Sequence, residues 1–173
     1  MKRWYMLTVV GRDVAGIVAA LTEVLFRAGA NLGEASMARL GGNFTIMLMA
    51  QTDADVATLE RSLAPTMQQF GLRLHVDPID GRLHEHVEPN VRITVHGADR
   101  PGIVAQITAV LAASGFSILD LDSDVGGTAT QPIYVMVLDG YAKDGVDALE
   151  RATAPLRASG IEIKITAIDT LVG

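Results

Sequence analysis

An internal duplication governs how this chain can fold. The stretch Val9–Ala19 returns as Val95–Ala105, with Gly11, Asp13 and Gly16 matched by Gly97, Asp99 and Gly102 at a shift of 86 residues. The shift holds without a gap through Thr22/Thr108, Val24/Val110, Leu25/Leu111 and Gly29/Gly115. Farther on, Leu59–Pro65 matches Leu149–Pro155 at a shift of 90, and Gly71–Val76 matches Gly160–Ile165 at 89. The extra residues fall in Gly126–Pro132, which reads as a hairpin loop. Self-similarity at so long a period means two like modules in tandem.

Each copy reads β-α-β-β-α-β. The first strand is an apolar run, Tyr5–Val10 or Val91–Val95. Ile17, Val18, Leu21, Val24 and Leu25, and their twins Ile103, Val104, Ile107, Val110 and Leu111, then place one apolar face on a 3.6-residue helix. Gly29 and Gly115 end those helices with the left-handed residue a C-terminus favours. Asn31 and Ser117 open the second strands, and Phe44–Ala50 and Ile133–Leu138 make the third. A second helix is predicted over 56–70 and 146–159. Pro65 and Pro155 lie inside it, so a kink or break is expected there. The order is that of an α+β, ferredoxin-like βαββαβ module with helices on one face of an antiparallel sheet. The reading gives a first domain over 1–79, a polar linker over 80–89 and a second domain over 90–173. Modules of about 75 residues are marginal alone, so the two are expected to pack together, with sheet edges joined or covered.

Charge and composition exclude several functions. Of the 173 residues, 49% are hydrophobic and 20% charged, as in a folded globular chain, and the net charge is −6 with no Lys/Arg run. Direct nucleic-acid binding is disfavoured, because its affinity comes mostly from cations that displace phosphate counterions. The absence of cysteine removes disulfides, thiolate catalysis and Cys-based zinc sites. No apolar stretch approaches the ~20 residues that span a bilayer; no membrane association and a cytoplasmic location are expected. Ser/His/Asp, HExxH and phosphate-loop patterns are not seen, and four histidines leave acid–base machinery thin. No catalytic residue and no cofactor is expected. His84, His86 and Glu88 have metal-ligand chemistry, but on a linker they read better as solvated residues. Met37, Met47 and Met49 read as core or partner-facing filler.

The informative loop joins the first strand to the first helix: Gly11–Gly16 and Gly97–Gly102. Gly11 and Gly97 permit a free turn or a close approach to a ligand. Asp13 and Asp99 sit where a carboxylate can cap the helix, and Pro101 falls in the first helical turn. The amides that follow, including those of Gly16 and Gly102, suit an anion. An α-amino acid would fit, its carboxylate on the helix N-terminus and its ammonium on a nearby acceptor. Ordinary helix capping explains the same residues.

The pattern Gly97-Ala98-Asp99-Arg100-Pro101-Gly102-Ile103-Val104, followed by Gly115–Ile118, resembles ACT domains, which are amino-acid-binding regulatory modules. With two modules covering the whole chain, and with the stretch Asn31–Thr45, it resembles the glycine cleavage system transcriptional repressor family of tandem ACT proteins. The resemblance implies ligand contacts from the loop positions Gly11, Asp13, Gly97, Asp99, Arg100 and Pro101 and from Asn31 or Ser117 at the start of the second strand, commonly across a module interface. Neither copy carries the full pattern: Val14-Ala15 replace Arg100-Pro101, and Ser117 replaces Asn. The Asp99 loop with Asn31 is therefore expected to make the better site, and Asp13 with Ser117 the weaker. The family implies a non-enzymatic regulator that binds a small amino acid, glycine or serine. Its partner would be a regulatory protein such as a DNA-binding activator, and assembly as a homo-oligomer is expected. The alternatives are an oligomerisation or adaptor module without a ligand, and a regulatory subunit of an enzyme of amino-acid metabolism.

Overall fold

Alternation at the start of the chain builds a strand whose two sides differ. In the computed structural model, which describes residues 2–80, 87–98, 101–128 and 131–168, β1 (Arg3–Arg12) buries Tyr5, Leu7 and Val9. Helix α1 (Ile17–Arg27) lays Ile17, Leu21 and Leu25 on that side. It ends at Ala28 and Gly29, whose φ of 68° is the left-handed value the sequence called for. The edge strand β2 (Asn31–Leu40) turns through Gly41 and Gly42, both at positive φ, into β3 (Asn43–Thr52). Two consecutive positive-φ residues are what a two-residue hairpin turn requires. Helix α2 (Val56–Phe70) and β4 (Arg73–Ile79) complete the module.

The second copy repeats the plan. Its elements are β5 (Val91–Ala98), α3 (Ile103–Ala113), β6 (Phe116–Thr128), β7 (Gln131–Ala142), α4 (Gly145–Ala158) and β8 (Glu162–Ala167). The sheets are antiparallel, in the orders β2-β3-β1-β4 and β6-β7-β5-β8, the arrangement of two ferredoxin-like modules. Each has its own core. The first centres on Leu7, Leu21, Leu25, Leu48 and Leu63, and the second on Ile93, Ile107, Leu111, Met136 and Leu138. The chain divides into two units, Met1–Glu85 and His86–Gly173. That division falls inside the stretch read as the linker, whose His84 and His86 lie outside the described residues. No helix among the described residues is long and apolar enough to cross a membrane.

Two local expectations need correction, and register refines a third. Pro65 and Pro155 break nothing: α2 continues five residues past Pro65, and α4 three past Pro155. Leu59, Leu63 and Met67 hold α2 on the core on both sides of its proline, so packing overrides the lost hydrogen bond. Val18, assigned to the apolar helix face, is 39% exposed; it lies one residue round the helix from Ile17, toward the sheet edge. The methionines separate by register: Met37 stands opposite Ile46 on the helix side of the sheet, while Met47 and Met49 lie on the other side.

Candidate ligand-binding site

The end of β1 is fixed by its neighbours before any ligand is considered. Gly11 stands opposite Phe44, and a Cβ there would come within 2.6 Å of Leu72 Cδ2 and 3.2 Å of the Gly71 carbonyl oxygen. In the other copy Gly97 stands opposite Tyr134, and its Cβ would come within 2.9 Å of Ile103 Cδ1. Neither glycine takes a positive φ. Both are explained by close approach of the chain to itself.

Asp13 follows, its backbone N–H donating to the Gly42 carbonyl at 3.0 Å. Its carboxylate forms an ion pair with Arg39 near the end of β2. The expectation that Asp13 caps the helix is thereby corrected. The hairpin turn pins its backbone and Arg39 takes its side chain, while the N-cap of α1 is Gly16 at φ 95°. A left-handed N-cap of this kind favours glycine, which has no side chain to offer the first amides. The Gly16 carbonyl accepts from Ala20, leaving the N–H groups of Ile17, Val18 and Ala19 without intrahelical acceptors. No acidic residue stands in that first turn. The second copy begins its helix the same way, with Gly102 as N-cap at φ 88° and its carbonyl accepting from Gln106. Pro101 therefore precedes the cap, a second correction, because the left-handed Gly102 delays the first helical residue to Ile103. Asp99 and Arg100 lie outside the described residues.

In the first unit the loop borders a cleft of about 420 Å³. Asp13, Val14, Ala15 and Gly16 form one wall, Val18 and Ala19 of α1 another, and Met37 and Arg39 of β2 the third, with Phe44 and Ile17 beneath. The walls are apolar except at the Asp13–Arg39 pair. Asp13 is 22% exposed and Arg39 69%, so one partner is shielded and the other faces water.

Asn31 is not part of this cleft within the unit. It opens β2 opposite Gln51, which stands opposite Trp4 at the beginning of β1. Asp13 follows the far end of that strand, about 30 Å away at roughly 3.3 Å per residue. Ser117 is likewise remote from Gly97, since it pairs with Tyr141 and Gly97 with Tyr134. The structure thus gathers Asp13 and Gly16 at one cleft and leaves Asn31 at the other end of the sheet. It adds Arg39, Met37, Val14, Val18 and Phe44, which the motif reading passed over. Arg39 could have been found from Gly41-Gly42: a two-residue turn there sets Arg39 beside Phe44 and Gly11.

Among the described residues of the second unit, titration is perturbed at the Arg92–Asp139 pair. On the sheet face opposite α3 and α4, Arg92 Nε and Nη2 donate to Asp139 at 2.7 and 2.6 Å. The hydrogen bond and the charge of Arg92 hold the Asp139 carboxyl below its ordinary value. Among the described residues no group of three or more His, Asp or Glu side chains is placed to hold a metal.

Sequence comparison agrees with the division into two like modules. Residues 5–77 and residues 91–154 each match a family model described as an ACT domain. A UPF0237 protein of Lactococcus lactis is 35% identical over 72 residues, 41% of this chain and 83% of that protein. The glycine cleavage system transcriptional repressor of Escherichia coli is 25% identical over 123 residues, 70% of this chain but only 65% of the repressor. A crystal structure assigned to a glycine cleavage system transcriptional repressor superposes with a TM-score of 0.73 at 17% identity, covering 98% of this chain and 99% of that one; it supports the fold. The chain belongs to the ACT-domain family and carries two ACT domains in tandem.

Proposed function

We propose that this chain is a non-enzymatic regulator that binds a small amino acid and conveys its presence to a protein partner. The observation that carries the reading is the first unit's cleft, where a cation, an anion and three unused helix amides surround an apolar space. An α-amino acid presents the complementary groups: a carboxylate for the cation and amides, an ammonium for the anion, and a side chain for the apolar walls. The similarity to a glycine cleavage system transcriptional repressor supports a role in transcriptional control of amino-acid metabolism. The net charge of −6 supports acting through a regulatory protein, such as a DNA-binding activator, since the chain has little in bulk to neutralise phosphates. Homo-oligomer formation belongs to the same proposal. The edge strand β6, thirteen residues long with exposed Ile118, Leu119, Leu121 and Val125, is the sort of edge that proteins cover by pairing.

A thermal-shift screen of the twenty amino acids on the intact chain tests this reading. A ligand present at 100 times its dissociation constant stabilises the fold by about 2.7 kcal/mol, so at least one amino acid is expected to raise the melting temperature by several degrees. A flat screen at millimolar concentrations contradicts amino-acid sensing and favours the adaptor reading, for which the exposed β6 edge is the supporting observation.

A further inference from the structure

We infer that the first unit's cleft selects α-amino acids with apolar side chains, that Asp13 and Arg39 are its zwitterion-reading pair, and that each chain holds one such site. The inference rests on the reading of the chain as an amino-acid binder and concerns which amino acid, where, and how many.

The chemistry of the walls sets the side-chain class. Val14, Val18 and Met37 are 44%, 39% and 53% exposed, and all three line the same cleft above buried Ile17 and Phe44. Single exposed apolar residues are normal on a protein surface. Three converging on one concave site with a charged pair at its rim form the usual composition of a small-molecule pocket, mostly apolar with few polar groups. Among the described residues no polar side chain besides Asp13 and Arg39 lines the cleft, so a serine hydroxyl or a second charge finds no partner there, and glycine leaves the apolar walls wet.

The ion pair supplies the backbone recognition. Arg39 is largely in water, and an ion pair with one partner so exposed is screened and weak. A zwitterion replaces it without change in net charge: its ammonium goes to the Asp13 carboxylate, and its carboxylate to the Arg39 guanidinium and the free amides of Ile17, Val18 and Ala19.

Register shows why the second unit differs. Arg39 stands opposite Phe44, and Phe44 opposite Gly11. In the second unit the same row runs Val125, Tyr134, Gly97. Valine therefore occupies the position of the reading cation, and among the described residues of that row none carries a positive charge.

Calorimetric titration of the intact chain with leucine, methionine, valine, glycine, serine and glutamate tests the inference, together with leucine amide and 4-methylpentanoate, which lack the carboxylate and the ammonium. The expected result is binding of leucine, methionine or valine at one site per chain, with glycine, serine, glutamate and both truncated probes at least tenfold weaker. Arg39→Gln is expected to weaken leucine binding on the order of 10- to 100-fold, the range of a charge-assisted hydrogen bond, with Arg39→Lys partly restoring it. Val125→Arg is expected to leave the first site's affinity unchanged. Because Arg39 is exposed, its variants keep the fold, as matching circular dichroism and melting curves would verify. Tight binding of glycine or serine with leucine ignored overturns the selectivity and leaves amino-acid sensing standing. Leucine binding indifferent to Arg39→Gln, or two equal sites, overturns the site assignment alone. Failure of every amino acid to bind removes both the inference and the function it rests on.

Discussion

Gly140 has almost no room for a side chain. A Cβ there would meet the Ser117 carbonyl oxygen at 2.3 Å and the Phe116 ring at 2.4 Å, and the first of these is backbone that cannot rotate away. Gly140→Ala is expected to destabilise the second unit by at least the 1–3 kcal/mol typical of overpacking, read as a lower urea midpoint. Arg92 and Asp139 carry a different prediction. The carboxyl of Asp139 is held below its ordinary value in the folded state, so the unfolded chain binds more protons in the acid range, and the pair's stabilisation is present above the unfolded pKa. It is lost as pH falls through the folded pKa. The stability gap between the native chain and Arg92→Met should be widest near neutral pH and close as pH falls from about 5 to 2; a gap that grows in acid would contradict the assignment. At this scale the sequence was only half legible. The duplicated Asp13 drew attention to the right loop, yet its expected duty as a cap fails because the cap is Gly16 and its carboxylate is taken by Arg39. Arg39 stayed hidden because its importance comes from strand register, which residue type does not show.

Secondary-structure elements were read far more completely. Periodicity and the αL glycines after α1 and α3 are local signals, and the observed bounds differ from the expected ones mainly at strand ends. The exception is the helix prolines, where local propensity pointed one way and core packing the other. That conflict yields a prediction. Pro65 is exposed, so replacing it removes no core contact while restoring a donor to α2. Alanine is favoured over proline by about 3 kcal/mol inside a helix, offset by roughly 0.4–1 kcal/mol from the freer unfolded chain. Pro65→Ala is therefore expected to stabilise the chain by about 1–2 kcal/mol in urea unfolding, a helix already adapted to its proline giving less than the full difference. Destabilisation would mean that the proline sets a geometry the core requires.

For the whole molecule the duplication says more through its differences than through its identities. Both units share one topology and one helix start, with a left-handed glycine as cap. They part where the equivalent row ends in Arg39 in one and Val125 in the other. Duplication, fold and the loop worth inspecting were visible in the sequence because they follow from repeats, periodicity and glycine placement. The cleft was not, because it forms where β2 returns along β3 to stand beside the β1–α1 loop. Asn31 lies at the opposite end of the first unit's sheet from that unit's own loop; the Asp99 and Arg100 of the loop expected to partner it lie outside the described residues. The central claim is that one cleft, in the first unit, reads an amino acid. Titrating the intact chain and its Arg39→Gln variant with leucine side by side tests it most directly. The account predicts one site per chain, weakened on the order of 10- to 100-fold by the substitution; two equal sites, or one that ignores Arg39, would contradict it.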